Sequence, residues 1–175
     1  LNILKKSNLN FDKIKSITEI GCGGGQILQE AKKSNFFNNK CVLEGYDINP
    51  DAIKLAKNNA DQISFFNKDF INLDTDIRDM IIAADVFEHV QDTYNFLSKL
   101  KEKINFFLFN IPIEISLLSM IRKKNIFEHS YNNVGHLHFY TKRTSLLLLE
   151  STGFEIINSN LVNNRFKSFK DKKSL

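Results

Sequence analysis

Thr18 to Gln26 reads TEIGCGGGQ, an apolar run from Ser16 to Ile20 that breaks into four glycines between Gly21 and Gly25. Four of the chain's seven glycines sit in this one turn, the mark of a place where backbone must approach something closely. Helical spacing follows at once at Ile27, Leu28 and Ala31. Strand, glycine turn and helix together open a β-α-β unit. Gly21, Gly23 and Gly25 satisfy G-x-G-x-G, whereas the dinucleotide fingerprint G-x-G-x-x-G needs a glycine where Gln26 stands. Glu19, just before the turn, suits an ammonium group and would repel a phosphate. The turn is expected to seat the amino-acid part of a ligand rather than a pyrophosphate.

Outward from the turn, short apolar runs keep alternating with helical patterns. A second strand, Cys41 to Tyr46, ends in Asp47, and Asn49 can cap a helix whose first position is Pro50. A third strand, Ile63 to Asn67, leads to Asp69 and Phe70. The fourth, Met80 to Ala84, is continuously apolar, as a strand buried on both faces should be. A helix from Asp92 to Lys101 and a fifth strand from Phe106 to Ile111 follow. Ile115 to Ile121 suggests an inserted helix, and Phe127 to Tyr140 an irregular segment rich in His and aromatics. Thr141 caps a helix through Glu150, Gly153 ends it, and Phe154 to Ile157 is expected to form a sixth strand. The pattern predicts one α/β domain over residues 1–175, a doubly wound, mostly parallel sheet with an inserted segment at about 114–140. Leu1 stands where a natural chain starts with Met, so part of the N-terminus is expected to be missing; no clear seventh strand follows Ile157, so either the sheet is cut short before its last strand or Leu161 to Phe169 forms an irregular one.

Composition narrows the class further. Apolar residues make up 42% and charged residues 25% of the 175 positions, the proportions of an ordinary globular domain. No apolar run reaches the roughly 18 residues of a membrane span, and no signal peptide is evident. Cys22 and Cys41 are too few for a disulfide framework or a zinc site, which points to a reducing cytoplasm. The net charge of +4 comes from the stretch beyond Asn160, where five basic residues face Asp171 alone. The body is neutral, so a nucleic-acid partner is not expected.

In a doubly wound sheet, ligands bind beyond the carboxyl ends of the strands, where strand order reverses. Asp47 at the second strand end can accept both hydroxyls of a ribose; capping its own turn is the plainer alternative. Asp69 can accept from an adenine amino group, with the Phe70 amide beside it.

EIGCGGGQ, GYDINPDAIKLAK, NKDF and DMIIAADVFEHV, in that order, resemble the motifs of class I S-adenosylmethionine-dependent methyltransferases. The likeness is to the small-molecule branch that includes the ubiquinone-biosynthesis O-methyltransferases, and GHLHFYTKRTSLLLLESTGFEI resembles that branch's late segment. The resemblance implies a Rossmann-like methyltransferase fold and S-adenosyl-L-methionine as cofactor. By position, Glu19 and the backbone of Gly21, Cys22, Gly23 and Gly25 would hold its methionine part. Asp47 would bind the ribose, with Ile48 against the adenine face, Asp69 and Phe70 at the adenine edge, and Ala84 and Asp85 near the sulfonium.

The implied acceptor is a small molecule, most simply one with a hydroxyl oxygen. His89, just beyond the fourth strand, is the candidate base, with Asp85 beside it; ordering the following helix is the alternative role for His89. His136, His138 and Tyr140 fall where the family builds its acceptor pocket. The related quinone enzymes can hold a divalent metal through acids and a His at the positions of Asp85, Glu88 and His89. Here Asp85 replaces a longer Glu and Ala84 a Ser, and no metal is assigned. Two other readings stay open: a nicotinamide-dependent oxidoreductase, disfavoured by Gln26 and Glu19, and a cofactor-binding domain without turnover. Oligomeric state is not legible.

Overall fold

The computed structural model describes residues 11–34, 37–59, 62–115 and 126–162. Five strands form one all-parallel sheet: β1 (Ser16–Ile20), β2 (Val42–Asp47), β3 (Ser64–Asn67), β4 (Arg78–Ala84) and β5 (Ile104–Asn110), in spatial order β3-β2-β1-β4-β5. Parallel neighbours need crossover connections, and the intervening helices supply them. They are α1 (Gln26–Lys33), α2 (Pro50–Asn59) and α3 (Thr93–Lys101). The doubly wound α/β architecture expected from the alternation is the one observed.

Period-2 alternation assigns the strands' side chains to two faces. Ile17 of β1 and Met80 and Ile82 of β4 pack with Leu28 and Ala31 of α1 and Ile53 and Ala56 of α2. On the other face Ile20 and Ile81 pack with Leu100 of α3. Nearby, Leu97 joins Phe87, Tyr140, Leu148 and Leu149. Because both faces are covered, β1 and the centre of β4 are buried along their length.

After β5 come a single helical turn, α4 (Ile126–His129), then a π-helical turn (Ser130–Val134) and α5 (Lys142–Ser151). The caps are those the sequence announces. Asn49 Oδ1 accepts from the Asp51 amide at 2.9 Å, Asp92 from the Asn95 amide at 3.0 Å, and Thr141 forms a capping box with Thr144. Gly153, at φ 83°, follows α5.

The expected strand at 154–157 is not a strand. Phe154 and Ile156 instead pack against the cluster of Phe87, Leu148 and Leu149, and the Phe154 amide donates to the Leu149 carbonyl at 3.0 Å. Those contacts satisfy the apolar alternation without a ladder. The inserted helix expected at Ile115 to Ile121 and the irregular strand at Leu161 to Phe169 lie mostly outside the described residues. Among the described residues, no helix is long and apolar enough to cross a membrane.

Candidate active site

Strand order reverses at β1, which pairs with β2 on one side and β4 on the other. The crevice at its carboxyl end gathers the loops after β1, β2 and β4. The glycine turn forms its floor. Gly21, Gly23 and Gly25 all have positive φ, and Gly25 at 77° serves as the N-cap of α1. A Cβ on Gly25 would collide with the Phe65 ring, whereas one on Gly23 would meet nothing within 4 Å. Gly25 is therefore a packing requirement and Gly23 faces open space.

Glu19 lies beneath this turn, 2% exposed, with Oε2 lacking a hydrogen-bond partner. Burial pushes its carboxyl up to about 8; a hydrogen bond from the Leu28 backbone opposes the shift and the neighbouring Asp47 charge adds to it. A buried acid with a bare oxygen is a site that a cation would relieve. Cys22 is 4% exposed, and burial, then the charges of Glu19 and Asp47, push its thiol up to about 12. It is an inert core thiol; its amide contributes to the turn by donating to the Tyr46 carbonyl at 3.1 Å.

Asp47 Oδ2 accepts from the Gly23 amide at 2.8 Å and Oδ1 from the Asn49 amide, also at 2.8 Å. It ties the first loop to the second, and each oxygen keeps a lone pair for a further donor. Ile48 beside it is 77% exposed. Asp69 caps its own turn, with Oδ1 accepting from the Ile71 amide at 3.2 Å and Oδ2 from Asn72 Nδ2 at 2.7 Å. Phe70 is buried against Tyr46, so its side chain belongs to the core.

Ala84 ends β4 opposite Asn110 of β5. Asp85 follows at φ 53°, a left-handed conformation that costs a non-glycine residue roughly 1–2 kcal/mol. Its amide donates to the Asn110 carbonyl at 3.0 Å, and Asn110 Nδ2 donates to its Oδ1 at 2.9 Å.

Beyond Asp85, the turn Phe87–His89 meets the segment after α4. The Glu88 carbonyl accepts from the amides of Leu137 and His138 at 2.8 and 3.1 Å. His138 Nε2 donates to the Val90 carbonyl at 2.8 Å. Tyr140 is buried against Phe87. His138 and Tyr140 thus fasten the segment. His136 and His89 come together, with ring centroids 4.8 Å apart and nearly perpendicular planes. His89 Nδ1 lies 3.0 Å from the Gly135 carbonyl; since a carbonyl only accepts, Nδ1 carries a proton, and in the neutral ring the lone pair is on Nε2. His136 Nδ1 lies 3.1 Å from Glu114 Oε1, an oxygen that also accepts from Ser130 Oγ.

Glu88 is fully buried, and neither carboxylate oxygen has a hydrogen-bond partner. Burial pushes it up to about 7, and the neighbouring Asp85 charge adds to the shift. Glu88, His89 and His136 each offer one donor atom within 4.8 Å of the others. Asp85 is not in this group. Glu114 was missed in the sequence; an acid just past Pro112, at the carboxyl end of the fifth strand, was the available signal.

Comparison with known proteins agrees with this architecture. Two Rickettsia bellii proteins, each a ubiquinone biosynthesis O-methyltransferase, are 27% identical over 120 residues, 67% of this chain and 47% of theirs. The chain spans about half the length of these curated relatives. Among solved structures, the plantazolicin methyltransferase BpumL in complex with SAH superposes with a TM-score of 0.62 at 21% identity, over 80% of this chain and 56% of that one. A Bacillus halodurans protein provisionally designated a methyltransferase gives 0.65 at 14% identity, over 88% and 68%. At these identities the likeness is one of fold. The family model described as a methyltransferase domain matches residues 3–159, which takes in the whole described sheet and both sides of the crevice, and the chain belongs to that family.

Proposed function

We propose that this domain is an S-adenosylmethionine-dependent methyltransferase acting on a small-molecule acceptor, with a hydroxyl oxygen as the atom methylated. The observation that carries the cofactor is Glu19: a buried carboxyl with a bare oxygen, under a glycine turn that leaves open space at Gly23. An α-ammonium group is the natural partner for that oxygen. Asp47 has capacity for ribose hydroxyls, and the exposed Ile48 offers an apolar face for adenine. The cofactor would supply a methyl group on a sulfonium, a strong electrophile with a good leaving group. Calorimetric titration should show binding of S-adenosylhomocysteine and none of NAD; tight NAD binding with no response to S-adenosylhomocysteine overturns the assignment.

The protein's part in such a reaction is alignment and proton management. A hydroxyl must lose its proton as its oxygen accepts the methyl. His89, with Nδ1 held by the Gly135 carbonyl, offers the Nε2 lone pair, and an imidazole suits proton transfer near neutral pH. His136, behind it, is proposed as part of the acceptor pocket, with Glu114 fixing its ring. Segment 114–140 is the proposed acceptor side of a single domain. The neutral charge of the body and the relatives' names favour a small acceptor over nucleic acid.

A further inference from the structure

We infer that a cavity at the amino end of the sheet binds a free basic α-amino acid. Arg78 and Thr75 take its carboxylate, and Asp74 and Asp76 take its two cationic groups. The inference needs neither the cofactor nor the methyl-transfer reading. All five strands run parallel, so their carboxyl ends share one side of the sheet and their amino ends the other. Arg78 is the first residue of β4, which puts this cavity at the opposite end from the crevice. Asp74, Thr75, Asp76 and Arg78 line it, and its volume is about 390 Å³. That falls at the low end of the roughly 300–1,000 Å³ of small-molecule sites.

Two buried polar atoms without hydrogen-bond partners, Arg78 Nε and Thr75 Oγ1, belong to this lining. The guanidinium is otherwise held in place. Its Nη2 lies 3.1 Å from Glu44 Oε2, and the two side chains are 20% and 19% exposed. Burial, then the Glu44 charge, raise the pKa of the Tyr46 hydroxyl, and a hydrogen bond with Arg78 opposes them. Glu44 and Tyr46 thus hold the guanidinium while its Nε–H has no acceptor. A buried donor in that condition costs roughly 1–3 kcal/mol. A carboxylate is the acceptor that matches a guanidinium edge, and the Thr75 hydroxyl supplies a second donor beside it.

The charges of the remaining lining select the rest of the ligand. Asp74 and Asp76 are exposed at the rim, and the nearby Lys103 ammonium turns to the Leu73 carbonyl at 2.6 Å. A simple carboxylate or phosphate would meet a guanidinium already balanced by Glu44, and two acids that repel it. A diamine would leave Arg78 Nε without an acceptor. An α-amino acid with a cationic side chain answers each group, with one carboxylate for the buried donors and one cation for each acid. A lining of two acids, a guanidinium and a threonine offers little apolar surface to an aromatic ring, which separates this ligand from a methyl acceptor.

The test is calorimetric titration of the full chain with L-lysine and L-arginine, beside cadaverine, which lacks the carboxylate, and hexanoate, which lacks both cations. One saturating equivalent of lysine or arginine is expected. Both truncated probes should bind about 10–100-fold more weakly, as expected for lost charge-assisted hydrogen bonds. Arg78→Lys keeps a charge for Glu44 but has no Nε–H, and it should weaken lysine binding by a similar factor, as should Asp76→Asn. Circular dichroism identifies any variant that fails to fold; the double variant Asp74→Asn, Asp76→Asn, altered only at exposed positions, then carries the test. The crevice is the competing location, because S-adenosylhomocysteine is itself an amino acid, so Glu19→Gln should leave lysine binding intact. Absence of saturable binding, cadaverine binding as tight as lysine, or binding lost in Glu19→Gln and kept in Arg78→Lys would each overturn the site.

Discussion

The Gly23 amide donates to Asp47 Oδ2 at 2.8 Å, joining the turn after β1 to the end of β2 across the mouth of the crevice. One carboxylate thus shapes the glycine turn and faces the proposed ribose position. Asp47→Ala should weaken S-adenosylhomocysteine binding by roughly 1.5–3 kcal/mol, the worth of hydrogen bonds to a charged group. Calorimetry measures this directly, and an unchanged affinity would remove Asp47 from the site.

Gly23 and Gly25 share a left-handed backbone but differ in what a side chain would meet. Gly25→Ala should destabilise the fold by about 2–4 kcal/mol, combining strain with a clash against Phe65. Gly23→Ala should cost only the strain, about 1–2 kcal/mol, and act mainly on ligand affinity. Urea melts of the two variants, read beside their binding isotherms, check the contrast.

Glu19 makes stability and binding depend on pH. Its ordinary value is 4.5 and its folded value about 8. Between the two, the folded state keeps a proton that the unfolded state has released, so stability falls as pH rises across that window. The protein without ligand should melt at a lower temperature at pH 8 than at pH 6, and Glu19→Gln should flatten that dependence. An ammonium group arriving at Glu19 stabilises the carboxylate, so S-adenosylhomocysteine binding at pH 7 should release close to one proton. Titrations in buffers of different ionisation enthalpy count it; zero release would show that the ammonium does not pair with Glu19.

His89→Ala should lower turnover of a hydroxyl acceptor by on the order of 100-fold while leaving S-adenosylhomocysteine affinity nearly intact. A chelator separates the two ways Nε2 can act. Chelation is expected to change little; turnover lost on chelation and restored by magnesium or zinc would make the imidazole a metal ligand instead. Turnover that survives chelation but not His89→Ala assigns His89 as a base acting alone.

The sheet and the turns that line its carboxyl end were legible in the sequence because their signals are local. β1 ends in its glycines, Asp47 closes β2 and Asn49 caps the next helix within a few residues of each other, so short-range rules for turns and caps suffice. At 154–157 those same rules misled. Alternating Phe154 and Ile156 satisfy a strand's pattern, but a strand also needs a partner's backbone, and here the side chains found burial against Phe107, Phe109 and Leu149 first.

The sequence by itself determined the β-α alternation, the glycine turn and the acids at the strand ends, since each depends on neighbours along the chain. Only the tertiary structure decided that Asp85 turns toward Asn110, that Glu114 stands behind His136, and that His136 meets His89 and a buried Glu88. The reason is physical: those groups lie far apart along the chain. Their meeting depends on how the segment after β5 docks onto the turn after β4, through the Glu88 carbonyl and the amides of Leu137 and His138. Backbone hydrogen bonds of that kind carry no side-chain signature, so nothing in the residue types announces them.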